Sequence, residues 1–370
     1  MKNSAENLKL LVLSNCKELG SQVNLHLKEM MHTEEDFIAR IRETRFYNGE
    51  GKVEILDTIR QKDVYILSDI GNHSMTYTMY GYENHMNPDS HLQDIKRTLA
   101  AIKGHTQSIT LIMPLLYAER QHRRKSREPL ECAVTLQELE ALGVTNIIVF
   151  DVHDPDIQNA IPLSSFENFY PTNVILNKFV HTEPIDFKKL VVVSPDTGAM
   201  DRAGIYADIL GANVGMFYKR RDRSKVVDGK NPIVAHQYMG GSVKGKDVIV
   251  VDDMIASGQS MLEVAARLKG KGARNIYLIA SFALFDRGPK AFDEAFAKGE
   301  FAKVYSTNLS YIATDIRSAP WFEEVDMAHY LAQIIKSYHE KESLSPYLNN
   351  RDEIFFEIQE YKKQQQQKHK

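Results

Sequence analysis

Short Val/Ile/Leu-rich runs alternate with helical stripes along most of this chain, and that alternation limits its fold more than any other feature. The runs are residues 10–13, 64–67, 109–113, 146–150, 190–194, 247–251 and 275–282. Each is almost continuously apolar, as a strand covered on both faces must be. Between them, Leu92, Ile95, Leu99 and Ile102 recur at helical spacing, and Gly104 follows as a stop. Met261, Leu262, Ala265 and Leu268 form a second stripe, ended by Gly270. Strand–helix–strand repetition means an α/β protein with mostly parallel sheets. At 370 residues the chain is long enough for two such sheets, each with its own core.

A boundary is expected near residues 170–172. It gives a first domain over 1–172, a second over 173–345 and a tail over 346–370. Residues 222–232 are polar, contain Gly229 and Pro232, and read as an exposed mobile loop. A helix expected to start near Trp321 is broken by residues 346–351, and this C-terminal helix can pack back on the first domain. In the tail, Ile354, Ile358 and Tyr361 sit at helical spacing before a Gln run and a Lys/His end, read as a frayed tail without chemistry.

Lys and Arg total 46 against 49 Asp and Glu, a net charge of −3, which argues against holding nucleic acid by bulk charge. The two cysteines, Cys16 and Cys132, are too few for a disulfide framework and point to a reducing compartment. No apolar run approaches the length of a membrane span, and residues 1–13 lack a signal-peptide core. The expectation is a cytoplasmic protein with no membrane partner.

The strongest chemical signal is Val248-Ile-Val-Val-Asp252-Asp253-Met-Ile-Ala256-Ser257-Gly258-Gln259-Ser260. An apolar strand is expected to end in two acids, followed by a small-residue loop and a helix. A helix N-terminus offers unpaired N–H groups and a positive dipole end, which suit a phosphate. Small residues let the backbone approach the anion, and the Ser257 and Ser260 hydroxyls add donors. The paired carboxylates can accept hydrogen bonds from two sugar hydroxyls. A site at the carboxyl end of a strand follows the rule for open α/β sheets. The plainer reading is a surface turn with Ser257 or Ser260 as an N-cap; the acid pair alone would favour it, and the apolar strand before and the helix after decide for the functional one.

This segment resembles the phosphoribosyl-pyrophosphate binding loop of phosphoribosyltransferase-type proteins. Other segments resemble the ribose-phosphate diphosphokinase (phosphoribosyl pyrophosphate synthetase) family, in the same order along the chain. They are Arg45-Phe-Tyr-Asn48-Gly49-Glu50, Pro114 with Tyr117-Ala, Arg120-Gln121 and Arg123, and Asp151-Val-His153 with Gln158. Ser-Pro195-Asp196-Thr-Gly198 with Arg202-Ala203, and Lys219-Arg220-Arg221, complete the set. The likeness spans roughly residues 10–345.

The resemblance implies two phosphoribosyltransferase-type, Rossmann-like domains. It implies Mg²⁺-dependent transfer of the β,γ-diphosphoryl group of ATP to ribose 5-phosphate, leaving AMP. Lys219 and Arg221 would be catalytic, at the mouth of a 222–232 lid. Asn48, Gly49, Glu50, Arg120 and Gln121 would bind ATP, the first three from a neighbouring subunit of a homo-oligomer, with a hexamer suggested. Asp252, Asp253, Ala256, Ser257, Gly258, Gln259 and Ser260 would bind ribose 5-phosphate, and His153 and Asp196 would hold Mg²⁺. The Asp252 loop alone also allows a phosphoribosyltransferase that consumes phosphoribosyl pyrophosphate. A catalytically lapsed regulatory homologue is the non-enzymatic alternative.

The chain departs from the family pattern and reads as a divergent member. Ala256 stands where Asp is usual, Gln259 and Ala199 where Gly is usual, and His122 where Asp follows Arg-Gln. Glu119 is an extra residue. If position 259 needs positive φ, Gln there costs about 1–3 kcal/mol of strain.

Overall fold

The computed structural model describes residues 4–124, 126–221, 233–348 and 351–368; at 4–5, 219–221, 233–236 and 364–368 it describes the backbone alone. The expected loop at 222–232 therefore lies outside the described residues. Contacts divide the chain into two units. The first comprises Met1–Pro171, Asn308–Ala313 and Asp326–Leu348, and the second Thr172–Thr307, Thr314–Val325 and Asn349–Lys370.

The first unit opens with β1 (Leu8–Val12), α1 (Lys17–Met30), β2 (Ile41–Arg45), β3 (Gly51–Ile55) and β4 (Asp63–Leu67). It continues with β5 (Thr76–Met79), β6 (Tyr82–His85), α2 (Pro88–Ile102) and β7 (Ser108–Ile112). Then come α3 (Glu131–Ala141), β8 (Asn146–Phe150) and β9 (Ser165–Phe169). A wholly parallel sheet runs in the order β1-β4-β7-β8-β9. The pairs β2/β3 and β5/β6 are separate antiparallel hairpins. α2 shows how the local sequence sets an element. The Asn87 side chain accepts from Ser90 N at 2.9 Å, and Pro88 occupies the first turn. Leu92, Ile95, Leu99 and Ile102 are all buried.

The second unit holds α4 (Thr172–Thr182), β10 (Leu190–Ser194), α5 (Met200–Leu210), β11 (Asn213–Arg221), β12 (Ile233–Met239) and β13 (Asp247–Ile255). It goes on through α6 (Gln259–Gly270), β14 (Ile276–Ala283), α7 (Lys290–Ala297), β15 (Lys303–Thr307), α8 (Thr314–Arg317) and β16 (Phe322–Val325). Its sheet order is β12-β11-β10-β13-β14-β15-β16, with only β11/β12 antiparallel. Every residue of β14 is buried, as continuous apolar runs require. An aromatic core of Phe285, Phe292, Phe301 and Trp321 packs in this unit, with Trp321 Nε1 donating to Asp293 at 2.7 Å.

The last described elements are the helices α9 (Ala328–His339), α10 (Ser345–Leu348) and α11 (Arg351–Lys368). The helix expected from Trp321 starts instead at Ala328, because Trp321 is a buried core residue leading into β16. α9 packs against α1 in the first unit. α11 packs on α4 and α5 in the second. There Ile354 and Ile358 are buried, and Lys362 Nζ donates to Leu210 O at 2.7 Å. No described helix is long and apolar enough to cross a membrane.

In the first unit, the returning segment Asn308–Ala313 is fixed by one buried carboxylate. Asp69 accepts from Tyr311 N at 2.7 Å, Ser310 Oγ at 2.9 Å and Gly71 N at 2.9 Å. Burial pushes its pKa up to about 6 against these donors. A carboxyl raised on folding binds more protons in the native state, so its contribution to stability falls as pH rises from about 4 to about 6. Asp69→Ala is therefore expected to cost about 1 kcal/mol more at pH 5 than at pH 7. Thermal unfolding of both proteins at the two pH values measures this, and a larger cost at pH 7 would reverse the sign.

Candidate active site

In the second unit, β13 delivers two acids to the start of α6. The strand runs past its expected end to Ile255, so Asp252 and Asp253 lie within it, and Asp252 pairs with Ala280 of β14. β14 has eight residues to the nine of β13, and the two strands stay paired past the acids to Ile255 and Ala283. Asp253 is buried and Asp252 half-buried. Asp253 N donates to Asp252 Oδ1 at 3.0 Å, and Met254 N to Asp253 Oδ1 at 2.7 Å. Asp252 is raised to about 7, first by burial and then by the Asp253 carboxylate; Arg202 opposes the rise and Asp196 adds to it. Those interactions gather Asp196, Arg202, Asp252 and Asp253 into one electrostatic cluster. Arg202 belongs to a motif quoted above, but nothing in the sequence ties its charge to this pair.

The loop from Ala256 to Ser260 leads directly into α6. Gly258 takes φ +74°, and Gln259 is already the first helical residue. The left-handed position therefore belongs to Gly258, and Gln259 carries none of the strain considered for it. A Cβ on Gly258 would come within 2.3 Å of the Phe292 ring, so the loop rests directly on the aromatic core. Ser257 and Ser260 flank this glycine at the N-terminal end of α6. Such a loop can bind a phosphate through its N–H groups while the acids face sugar hydroxyls.

Asp196 lies just beyond β10, the strand next to β13. Its Oδ1 accepts from Gly198 N at 2.8 Å and Ala199 N at 3.3 Å, closing the turn into α5. Ala199 has φ −91° and is buried, so this position needs no glycine. β11 pairs with β10 as far as Ser194↔Met216, then continues with β12 as a two-stranded extension. Lys219 and Arg221 lie on that extension, opposite His236 and Ile233.

The first unit groups the remaining residues in two places. After β7, Ala118 takes φ +54° and a short 3-10 turn carries exposed Arg120 and Gln121. After the neighbouring β8, Asp151 takes φ +44° and is followed by exposed His153. Left-handed non-glycine residues at adjacent strand ends are the kind of strain that collects at functional sites. Glu119, which read as an extra residue, joins the two turns by accepting from His153 N at 3.2 Å. The His122 and His153 ring centroids are 5.4 Å apart. His122 Nε2 lies 3.2 Å from Asp154, which also pairs with Arg123 at 2.9 Å. Arg120, Gln121 and His153 thus share one corner.

Asn48, Gly49 and Glu50 stand elsewhere in this unit, at the tip of the β2/β3 hairpin. Asn48 Nδ2 donates to Glu50 Oε2 at 2.9 Å, and Glu50 N to Asn48 Oδ1 at 3.1 Å.

Known proteins match both halves of the chain. A family model described as the N-terminal domain of ribose phosphate pyrophosphokinase matches residues 8–143, and a phosphoribosyl transferase domain model matches residues 175–301. A ribose-phosphate pyrophosphokinase of Staphylococcus haemolyticus is 28% identical over 303 residues, covering 81% of this chain and 86% of the relative. One of Mycoplasma pneumoniae is 27% identical over 339 residues, covering 90% and 93%. A phosphoribosylpyrophosphate synthetase structure from Mycobacterium smegmatis shares the fold, with a TM-score of 0.75 at 23% identity over 90% of this chain and 99% of that one. With its two phosphoribosyltransferase-type α/β domains, the chain belongs to the ribose-phosphate pyrophosphokinase family of enzymes.

Proposed function

We propose that this protein transfers the β,γ-diphosphoryl group of ATP to the 1-hydroxyl of ribose 5-phosphate. The sugar O1 attacks the β-phosphorus, the bond between the β-phosphorus and the α,β-bridging oxygen breaks, AMP leaves, and the hydroxyl proton is released. The observation that carries this reading is the β13–α6 corner, where half-buried Asp252 and buried Asp253 stand beside a glycine-pinned helix N-terminus. Asp252 and Asp253 would take two ring hydroxyls. The backbone at Ala256, Ser257, Gly258, Gln259 and Ser260 would take the 5-phosphate.

Phosphoryl transfer asks for positioning and positive charge rather than covalent catalysis. Lys219 and Arg221, on the strand beside β10, would neutralise charge building on the transferred group. Arg120 and Gln121 would hold the nucleotide: the Gln amide reads a base edge, and Arg stacks or pairs with phosphate. Asn48, Gly49 and Glu50 would complete a nucleotide site from a neighbouring copy, making the working form a homo-oligomer.

The donor set fits Mg²⁺. The Asp253 and Asp196 carboxylates both add negative potential at Asp252, which a hard cation relieves. Among the described residues no three His, Cys, Asp or Glu side chains form a closed cage. That suits an ion bound through one or two protein groups and substrate phosphates. Asp196 would be the protein ligand in the second unit and His153 in the first. Bound Mg²⁺ supplies charge neutralisation on the phosphate oxygens.

The test is AMP formation from ATP and Mg²⁺ with and without ribose 5-phosphate. AMP appearing only with the sugar phosphate is the expected result. No AMP, with base-dependent consumption of phosphoribosyl pyrophosphate, would replace this reading with a phosphoribosyltransferase. Ligand binding without turnover would indicate a regulatory homologue.

A further inference from the structure

The turn carrying Asn48 and Glu50 is held from outside far more firmly than a hairpin turn needs. A short turn ordinarily keeps its shape through its own hydrogen bonds, here Phe46 N to Glu50 O and Gly49 N to Phe46 O, both 2.8 Å. This one is also gripped by the β5/β6 hairpin. None of the family-like segments quoted above lies in that hairpin. Tyr80 N donates to Tyr47 O at 2.9 Å. Tyr80 (φ +50°) and Gly81 (φ +84°) form the two-residue turn of that hairpin, so its tip is what reaches residue 47. Gly49 has φ +89°, and a Cβ there would lie 2.7 Å from Met79 Sδ. The thioether thus packs directly on the glycine between Asn48 and Glu50.

A second grip comes from α2. Asp94 is buried and receives two guanidinium groups, Arg45 at 2.5 Å and Arg97 at 2.6 Å. Arg45 also donates to Gly49 O at 3.3 Å and lies 5.3 Å from the Tyr77 ring centroid. A Cβ on Gly51 would meet Arg97 Nη1 at 2.6 Å, so the strand leaving the turn is seated on the same pair. Burying a carboxylate under two half-buried guanidinium groups does little for stability and much to fix one geometry. A hydrogen bond from the neighbouring hairpin, a charge triad around buried Asp94 and a thioether wedge all converge on two exposed polar side chains.

We propose that the β5/β6 hairpin and the Arg45–Asp94–Arg97 triad form a clamp that preshapes residues 46–50 for the nucleotide. Tyr77, Met79 and Asp94 are then positioning residues. The clamp lowers the ordering cost of nucleotide binding and leaves the sugar-phosphate site and the chemical step untouched. This rests on the nucleotide reading of Asn48 and Glu50.

The test compares the full-length wild type with Tyr77→Ala/Met79→Ala and with Met79→Leu, which keeps the wedge. Steady-state kinetics and hydrogen exchange at the Phe46 and Gly49 amides are both read. The expected result for the double variant is a roughly tenfold higher KM for ATP. Its kcat and KM for ribose 5-phosphate should stay within about twofold, both amides should exchange faster, and Met79→Leu should behave as wild type. An unchanged KM for ATP overturns the proposal. So does a parallel loss of kcat and both KM values, which would mark the hairpin as ordinary scaffold. If the wild type makes no AMP, the functional reading has failed by itself. Exchange then decides the clamp: faster exchange in the double variant supports it, and unchanged exchange overturns it.

Discussion

Lys219→Ala is expected to cut turnover by roughly 10²–10³-fold while leaving ribose 5-phosphate binding nearly intact. The reasoning starts from what the reaction demands. Negative charge shifts among the phosphate oxygens as the diphosphoryl group moves, and a fixed cation beside that group acts mainly in the transition state. Lys219 lies on β11, beyond the last residues paired with β10, on the extension closed by β12. β10 is the strand that leads to Asp196, and its other neighbour, β13, leads to the acid pair. The sugar-phosphate contacts proposed above lie on β13 and α6, so they should survive the substitution. Rapid-quench kinetics gives the turnover and calorimetry the ribose 5-phosphate affinity. Near-normal turnover would remove Lys219 from the mechanism.

Gly258→Ala is expected to be the most damaging methyl group in the second unit. Two independent penalties coincide. A non-glycine residue at φ +74° costs about 1–3 kcal/mol. The new Cβ would also sit 2.3 Å from Phe292, whose ring is fully buried and stacks on Trp321 at 5.3 Å. Overpacking a fixed core typically costs a further 1–3 kcal/mol or so. Together they should lower stability by about 2–6 kcal/mol. Any relief must come from moving the loop, so ribose 5-phosphate binding should fall as well. Gly270→Ala, at the other end of the same helix, is the control. It faces open space without a left-handed backbone, so its stability should be unchanged or slightly improved. Equal unfolding midpoints for Gly258→Ala and wild type would contradict this packing.

The central strands were legible because burial on both faces leaves a continuous apolar run, as in β8 and β10. The two hairpins were not. β2 and β3 carry Arg42, Glu43, Lys52 and Glu54 on half-exposed strands, and β5 and β6 are four residues each. No apolar periodicity survives at that length and exposure. The β13–α6 corner could be read because strand, acids, small residues and helix are consecutive. The corner joining Arg120 to His153 depends on Glu119, and its link to His153 spans 34 positions. Only the adjacency of β7 and β8 brings those two turns together. The strain expected at Gln259 belongs to Gly258, because the helix begins one residue earlier than a positive φ at 259 would allow.

Diphosphoryl transfer itself is tested most directly by phosphorus NMR of the reaction of ATP with ribose 5-phosphate and Mg²⁺, using ATP labelled with ¹⁸O at the non-bridging oxygens of its β-phosphorus. The expected result is AMP and a sugar diphosphate in equal amounts, with the label entirely in the sugar product. Formation of ADP, or of AMP with free pyrophosphate and no sugar diphosphate, would contradict the reading.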